Sequence, residues 1–281
     1  MLIIGESING TIPKVGQAIQ EKNETFLREL AKTQYECGAQ MLDVNAGVAG
    51  GNEVEDLPWL INLVQKEVPI PLMIDSANPD ALKAALAVYK HSELPIMNSI
   101  SGEEEKWNRL FPVIAEKKGK VVVLCMDDQG IPKAVEARLA IASRLFDRLM
   151  KADIPEDCIY FDPLVLAVSV ESDAGSVTLE TIRGLRSTFR NSHVICGASN
   201  VNGTSGKKTD QPDLYCHGHL CRARYPVHRC PGPGAAVDHF CQQAPCQSGQ
   251  LLHAVSQGLP GQEDSDLTVI PPGECVVLVG P

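Results

Sequence analysis

The chain has 281 residues, with 35 acidic and 25 basic side chains and a formal charge of −10, which excludes the basic face of a general nucleic-acid binder. Apolar residues make up 44% and charged residues 21%, enough to bury a core and too apolar for a disordered chain. No apolar run approaches the ~18 residues of a membrane span, and MLIIGESING lacks the basic and long apolar segments of a secretory signal, so the expected location is cytoplasmic.

In chain order, short apolar runs recur, each ending in small or polar residues. They are Leu2-Ile3-Ile4, Met41-Leu42, Leu72-Met73-Ile74, Ile96-Met97, Val121 to Met126, Ile159-Tyr160-Phe161 and Val194-Ile195-Cys196. Such continuous runs suit strands buried on both faces of a parallel sheet. Helical patterns separate them. Asn23 can cap a helix through Phe26, Leu27, Leu30 and Ala31. Residues 53–66, 79–89, 103–117, 134–152 and 178–190 have similar periodicity, and Asn78-Pro79 reads as a cap followed by a first helical position. The alternation predicts an α/β fold of seven strands and six helices before residue 201, one unit short of an eight-unit (β/α) barrel. An open doubly wound sheet is the alternative, but no G-x-G-x-x-G or phosphate loop follows a strand.

In a parallel barrel the carboxyl ends of the strands form the active-site face. Asp43, Asn45, Asp75, Asn98, Asp127, Asp162, Ser199 and Asn200 would all lie there. That mouth is acidic and amide-rich, with almost no Lys, Arg or His. It suits a neutral heterocycle with several N–H donors, because a carboxylate accepts two parallel N–H bonds. A pterin ring offers such a pair. Taken singly, an Asp after a strand is more often a cap or turn former, and Asp127-Asp128-Gln129-Gly130 reads as a turn. Hard-cation binding is the rival chemistry, but no metal-spaced cluster supports it, and no metal site is assigned.

Six segments in order, Gly5-Glu6-Ser7-Ile8-Asn9-Gly10, Leu42-Asp43-Val44-Asn45, Ile74-Asp75-Ser76, Met97-Asn98-Ser99, Phe161-Asp162-Pro163-Leu164 and Gly197-Ala198-Ser199-Asn200-Val201, resemble the pterin-binding methyltransferases. The nearest resemblance is to methyltetrahydrofolate:corrinoid methyltransferases. It implies a TIM barrel that transfers the N5 methyl of methyltetrahydrofolate to the cobalt of a corrinoid (cobalamin-type) held by a partner protein. It also implies a homodimer. Pterin contacts carry over to Asp75, Asn98 and Asp162, with Gly197 and Ser199 lining the site and Asp43 near the ring. Asn200 becomes the catalytic residue, hydrogen-bonded to N5 and stabilising the transition state; a carboxyl general acid is the competing mechanism. Ser7 stands where relatives have a basic residue, and nothing is carried onto it. Two other functions compete. One is a dihydropteroate synthase-like enzyme, although its usual Asp-Ser-Phe-Ser-Asp-Gly-type loop and basic pyrophosphate site are missing here. The other is a degenerate, non-catalytic pterin-binding protein.

Composition changes at about residue 202. Six of the 10 cysteines and five of the seven histidines crowd the last 80 residues, which show little periodicity until Val276-Val277-Leu278-Val279. Relatives continue after Ser-Asn-Val with a Gly-Leu-Pro-(x)-Arg-Lys stretch. Permitted codons for the residues from Asn202 onward, read one base later, can give MGLPERKLINQTF. The chain therefore divides into a barrel over 1–201 and a frameshifted tail over 202–281. Cys216, His217, His219, Cys221 and Cys230 fit no standard zinc spacing and read as accidents of the shifted frame. Residues 202–260 offer neither helix nor strand, so the expected tail packs irregularly and leaves the barrel open beside its first strand.

Overall fold

A computed structural model describes residues 2–165, 174–197 and 275–279. The strands are β1 (Leu2–Asn9), β2 (Met41–Asn45), β3 (Leu72–Asp75), β4 (Ile96–Gly102), β5 (Lys120–Asp127), β6 (Ile159–Asp162), β7 (His193–Gly197) and β8 (Cys275–Val279). They form a closed, all-parallel barrel in sequential order. The helices are α1 (Pro13–Gln20), α2 (Glu24–Glu36), α3 (Glu53–Glu67), α4 (Pro79–Val88), α5 (Glu104–Lys117), α6 (Val135–Met150) and α7 (Ala174–Thr188). The fold is a TIM barrel.

The barrel's closure corrects one expectation. β8 pairs with β1, placing Leu2 opposite Val276 and Ile4 opposite Leu278. On its other side it pairs with β7, with Val194 opposite Cys275 and Gly197 opposite Leu278. The edge beside β1 is therefore covered. The expectation of an open edge rested on residues 202–260, whereas closure needs only one short extended run anywhere downstream. Ladder hydrogen bonds are made by backbone, so a late β-branched run can supply the missing strand.

Local chemistry explains the helix starts. The Asn78 side chain accepts from the backbone N–H groups of Asp80 (3.0 Å) and Ala81 (3.4 Å), and Pro79 follows at the first helical position. Asn23 Oδ1 likewise accepts from Phe26 N–H at 3.2 Å. Helix α1 escapes sequence reading because Ile12 makes no side-chain cap and Gly16 interrupts its apolar face. That glycine is required: a Cβ there would lie 2.5 Å from the Gly10 carbonyl oxygen.

Alternation along the strands separates two cores. Outward residues such as Leu42, Leu72, Val121 and Phe161 pack with Leu60, Ile61, Leu145 and other helix residues. Inward residues Ile4, Met41, Met73, Ile96, Val122, Tyr160 and Ile195 fill the barrel interior. Burial of each such aliphatic side chain stabilises the fold by about 1.5–3 kcal/mol. The inner plug closes the barrel axis and leaves the carboxyl end of the strands as the floor of a site. No helix among the described residues is long and apolar enough to cross a membrane.

Candidate functional site

Residues two apart on a strand face the same way. Two positions beyond the inner plug therefore lie Glu6, Asp43, Asp75, Asn98, Leu124, Asp162 and Gly197. Strand register aligns them further. Asn45 stands opposite Asp75, Asp75 opposite Asn98, Leu124 opposite Asp162. Asp43, Asp75, Asn98, Asp162 and Gly197 thus share one layer at the carboxyl end of the barrel. Ser199 and Asn200, the latter assigned as the catalytic residue, lie outside the described residues, as does the Cys/His-rich segment.

The hydrogen bonds orient this layer. Asn45 Nδ2 donates to Asp75 Oδ2 at 3.0 Å, while Asn45 Oδ1 accepts from Gly47 N–H at 2.8 Å. The amide is held at both ends and presents its donor to the carboxylate. Asn98 hydrogen-bonds Asp43 through its side chain. Asp162 Oδ1 accepts from Leu164 N–H at 2.8 Å. Ser76, buried behind Asp75, donates to Glu53 at 2.6 Å. One polar atom is left over: Asp43 Oδ1 is buried without a hydrogen-bond partner. A buried acceptor without a partner is costly, so this oxygen marks a place where a bound donor belongs.

The carboxyl groups are held away from their ordinary ionisation. Burial pushes Asp43 well above the usual carboxylate range, and Asp75 and Glu6 add to the shift. Burial also raises Asp75 to about 6, opposed by the Asn45 hydrogen bond and assisted by Glu53 and Glu6. Asp162 rises to about 6 for the same first reason, with the Leu164 N–H and Arg138 opposing and Glu6 assisting. All three carboxyls are thus shifted toward their protonated forms, with burial the first cause in each. That set can both accept ring N–H donors and offer a proton.

Asp127 does not join this layer. Arg144 Nη2 donates to its Oδ2 at 2.8 Å, Gly130 N–H returns to its carbonyl at 2.7 Å, and Arg144 holds its carboxyl below the usual range. It is the turn former that its local sequence suggests. Sequence reading missed two residues. Glu6 follows the inward Ile4 by two positions, a signal hidden by the short first apolar run. Arg138 is 1% exposed. Its position shares the apolar stripe of Ile141, Ala142, Leu145 and Leu149, so an arginine at core spacing was the available signal. Among the described residues, no group of three or more His, Cys, Asp or Glu could hold a metal ion.

Comparison with known proteins agrees with this geometry. The chain is 37% identical over 204 residues to a methylcorrinoid:tetrahydrofolate methyltransferase of Eubacterium limosum, covering 72% of this chain and 74% of that protein. It is 28% identical over 216 residues to a methionine synthase of Mycobacterium leprae, covering 72% of this chain but only 18% of that much longer protein. A dihydropteroate synthase structure from Xanthomonas albilineans, determined with 4-aminobenzoic acid, shares the fold with a TM-score of 0.51 at 18% identity, covering 70% of this chain and 71% of that one. The pterin binding enzyme family matches residues 7–225. With a barrel mouth of convergent carboxylates and a match spanning most of its length, the chain belongs to the pterin-binding enzymes.

Proposed function

We propose that the chain is a methyltransferase that moves a methyl group between N5 of tetrahydrofolate and the cobalt of a corrinoid bound to a partner protein. The observation that carries this reading is the single layer of Asp43, Asp75, Asn98 and Asp162, with a buried unpartnered oxygen on Asp43. A pterin edge supplies the N–H donors that such a layer lacks. Asp75 and Asp162 accept them, Asn98 orients the ring through donor and acceptor, and Gly197 leaves room for the ring to approach. Asn200 is proposed, from resemblance, to hydrogen-bond N5.

A tertiary amine is a poor leaving group, so breaking the N5–methyl bond requires proton or hydrogen-bond donation to N5 as the bond breaks. Burial raises the Asp43 pKa, which makes it the candidate where the donor is a carboxyl group. Cobalt is the nucleophile, so the protein needs none of its own. The Eubacterium limosum relative's name runs the transfer from methylcorrinoid to tetrahydrofolate. A catalyst lowers the barrier equally in both directions, so the same groups serve either. The partner's cobalt would approach the carboxyl end of the barrel, because the inner plug fills the barrel axis below it. A homodimer is proposed on resemblance. The dihydropteroate synthase alternative needs basic residues for a pyrophosphate, and the described mouth layer is acidic.

The test is an anaerobic assay of the purified chain with methyltetrahydrofolate and a reduced corrinoid protein. The visible spectrum should convert to that of methylcobalt(III), and Asp75→Ala should lower the rate. Folate binding without transfer, on a partner competent with another methyltransferase, would instead support the non-catalytic reading.

A further inference from the structure

Arg138 lies in the second turn of α6, and its side chain is wholly buried. A buried guanidinium is tolerated only when its N–H groups find acceptors. Here Nε donates to the Pro132 carbonyl at 2.8 Å, and Nη1 donates to the carbonyls of Pro163 at 2.7 Å and Leu164 at 3.0 Å. Pro163 and Leu164 follow directly on Asp162, the last residue of β6. Leu164 has φ of +64°, in the left-handed region that a leucine rarely adopts. The Leu164 N–H turns back to donate to Asp162 Oδ1, 2.8 Å away.

We propose that Arg138 is the positioning residue of the site: its planar fork clamps the Asp162-Pro163-Leu164 turn and so sets the direction of the Asp162 carboxylate. The inference rests on the pterin reading for its purpose, but its geometry stands apart from that reading. The clamp runs from a helix on the outside of the barrel, through two carbonyls, to one acceptor at the mouth. A lysine in its place would keep the charge and could reach both turn carbonyls from one nitrogen, as Nη1 does, but it has no second donor to hold the Pro132 carbonyl at the same time. Among the described residues, Arg138, Glu6 and Cys125 are the ionisable groups that act on Asp162.

The test uses the full chain, tetrahydrofolate as probe, and R138M, R138K, D162N and the R138M/D162N pair. Two quantities are read: tetrahydrofolate affinity by calorimetry, and the Asp162 carboxyl titration by carbon-13 NMR, assigned through D162N. R138M should move the Asp162 midpoint upward by roughly one pH unit, as expected on losing one nearby opposite charge. It should also weaken tetrahydrofolate binding roughly tenfold, through loss of hydrogen bonding to a charged acceptor. R138K should restore the titration and only part of the affinity. In the D162N background R138M should cost almost nothing further, because the two act as one unit. A merely structural arginine would add its loss of affinity independently of D162N, and that result overturns the proposal; the titration reports only that the guanidinium charge lies near Asp162. If R138M does not fold, R138K decides the matter: unchanged affinity in that variant overturns it. A shifted titration in a protein that binds no tetrahydrofolate would overturn the pterin reading rather than the clamp.

Discussion

With its pKa pushed to about 6, Asp162 still holds a proton in the folded chain at a pH where an unfolded aspartate has lost it. Between the ordinary value of 3.8 and about 6, the folded state binds more protons than the unfolded state, so stability falls as pH rises through that window. Above about 6 both states are ionised and the penalty is constant. The same sign holds for Asp75. D162N or D75N, neutral and of similar shape, should therefore raise stability at pH 7–8 by about 1–3 kcal/mol, since each pKa unit corresponds to 1.36 kcal/mol. Thermal melts at pH 4 and pH 8 check this, and the gain should vanish at pH 4. The same substitutions should weaken tetrahydrofolate binding roughly ten- to a hundredfold, the loss of a hydrogen bond to a charged group. A variant that melts higher and binds worse would identify these carboxylates as kept for the ligand. Lower stability with unchanged binding would make them turn formers.

The elements themselves are set by short-range chemistry that can be tested apart from the site. The Asn78 side chain caps α4 with two hydrogen bonds, and its link to Ser76 runs through its backbone, which a substitution leaves in place. N78A should cost about 1 kcal/mol of stability, the usual value of an N-cap, and leave tetrahydrofolate affinity unchanged. Helix α1 is different, because it seats by close approach to Gly10. Gly10 is itself tied to β2 through its N–H on the Asn45 carbonyl at 2.9 Å. G16A would press a methyl group against fixed backbone and should cost about 1–3 kcal/mol, in the range of overpacked sites. Because Asn45 also orients Asp75, G16A should weaken ligand binding as well, whereas N78A should not. Denaturant melts and calorimetry on both variants separate a local cap from an element coupled to the mouth.

At the scale of the molecule, closure depends on β8, which pairs with both β1 and β7. Removing residues 275–281 should leave two unpaired parallel edges, which invite pairing between chains. The truncated protein should melt earlier and show aggregates by light scattering, while the full chain remains the better behaved. The shifted-frame reading of the segment from Asn202 makes a separate prediction. A chain whose segment is restored to the alternative frame should transfer methyl groups faster than the present chain, because that frame yields the Gly-Leu-Pro-(x)-Arg-Lys stretch that the resemblance implies after Asn200. Equal rates and equal solubility would show that the present tail serves the barrel as well as the other frame would.

The sequence by itself determined the alternating α/β order, the parallel strands and which polar residues share the carboxyl end of the barrel. Apolar runs announce strands buried on two faces, and the polar residue at the end of each run falls at the barrel mouth by the period of two. Asp43, Asp75, Asn98 and Asp162 were legible for that reason, and Gly197 through the family resemblance. Asn23 and Asn78 were legible as caps because capping is local. Three things needed the tertiary structure. Asp127 was legible as a turn former, but its ion pair with Arg144, 17 residues away, is one that no strand-end pattern contains. Arg138 reads as one more charge on a helix until the turn after β6 arrives beside it, 25 residues later. The closing strand lies 78 residues beyond β7, from Gly197 to Cys275, and its place depends on meeting β1 from the other end of the chain. Periodicity and capping act within a few residues, so they can be read from order alone. Ion pairing, clamping and barrel closure join distant residues, and their partners appear only when the chain has folded.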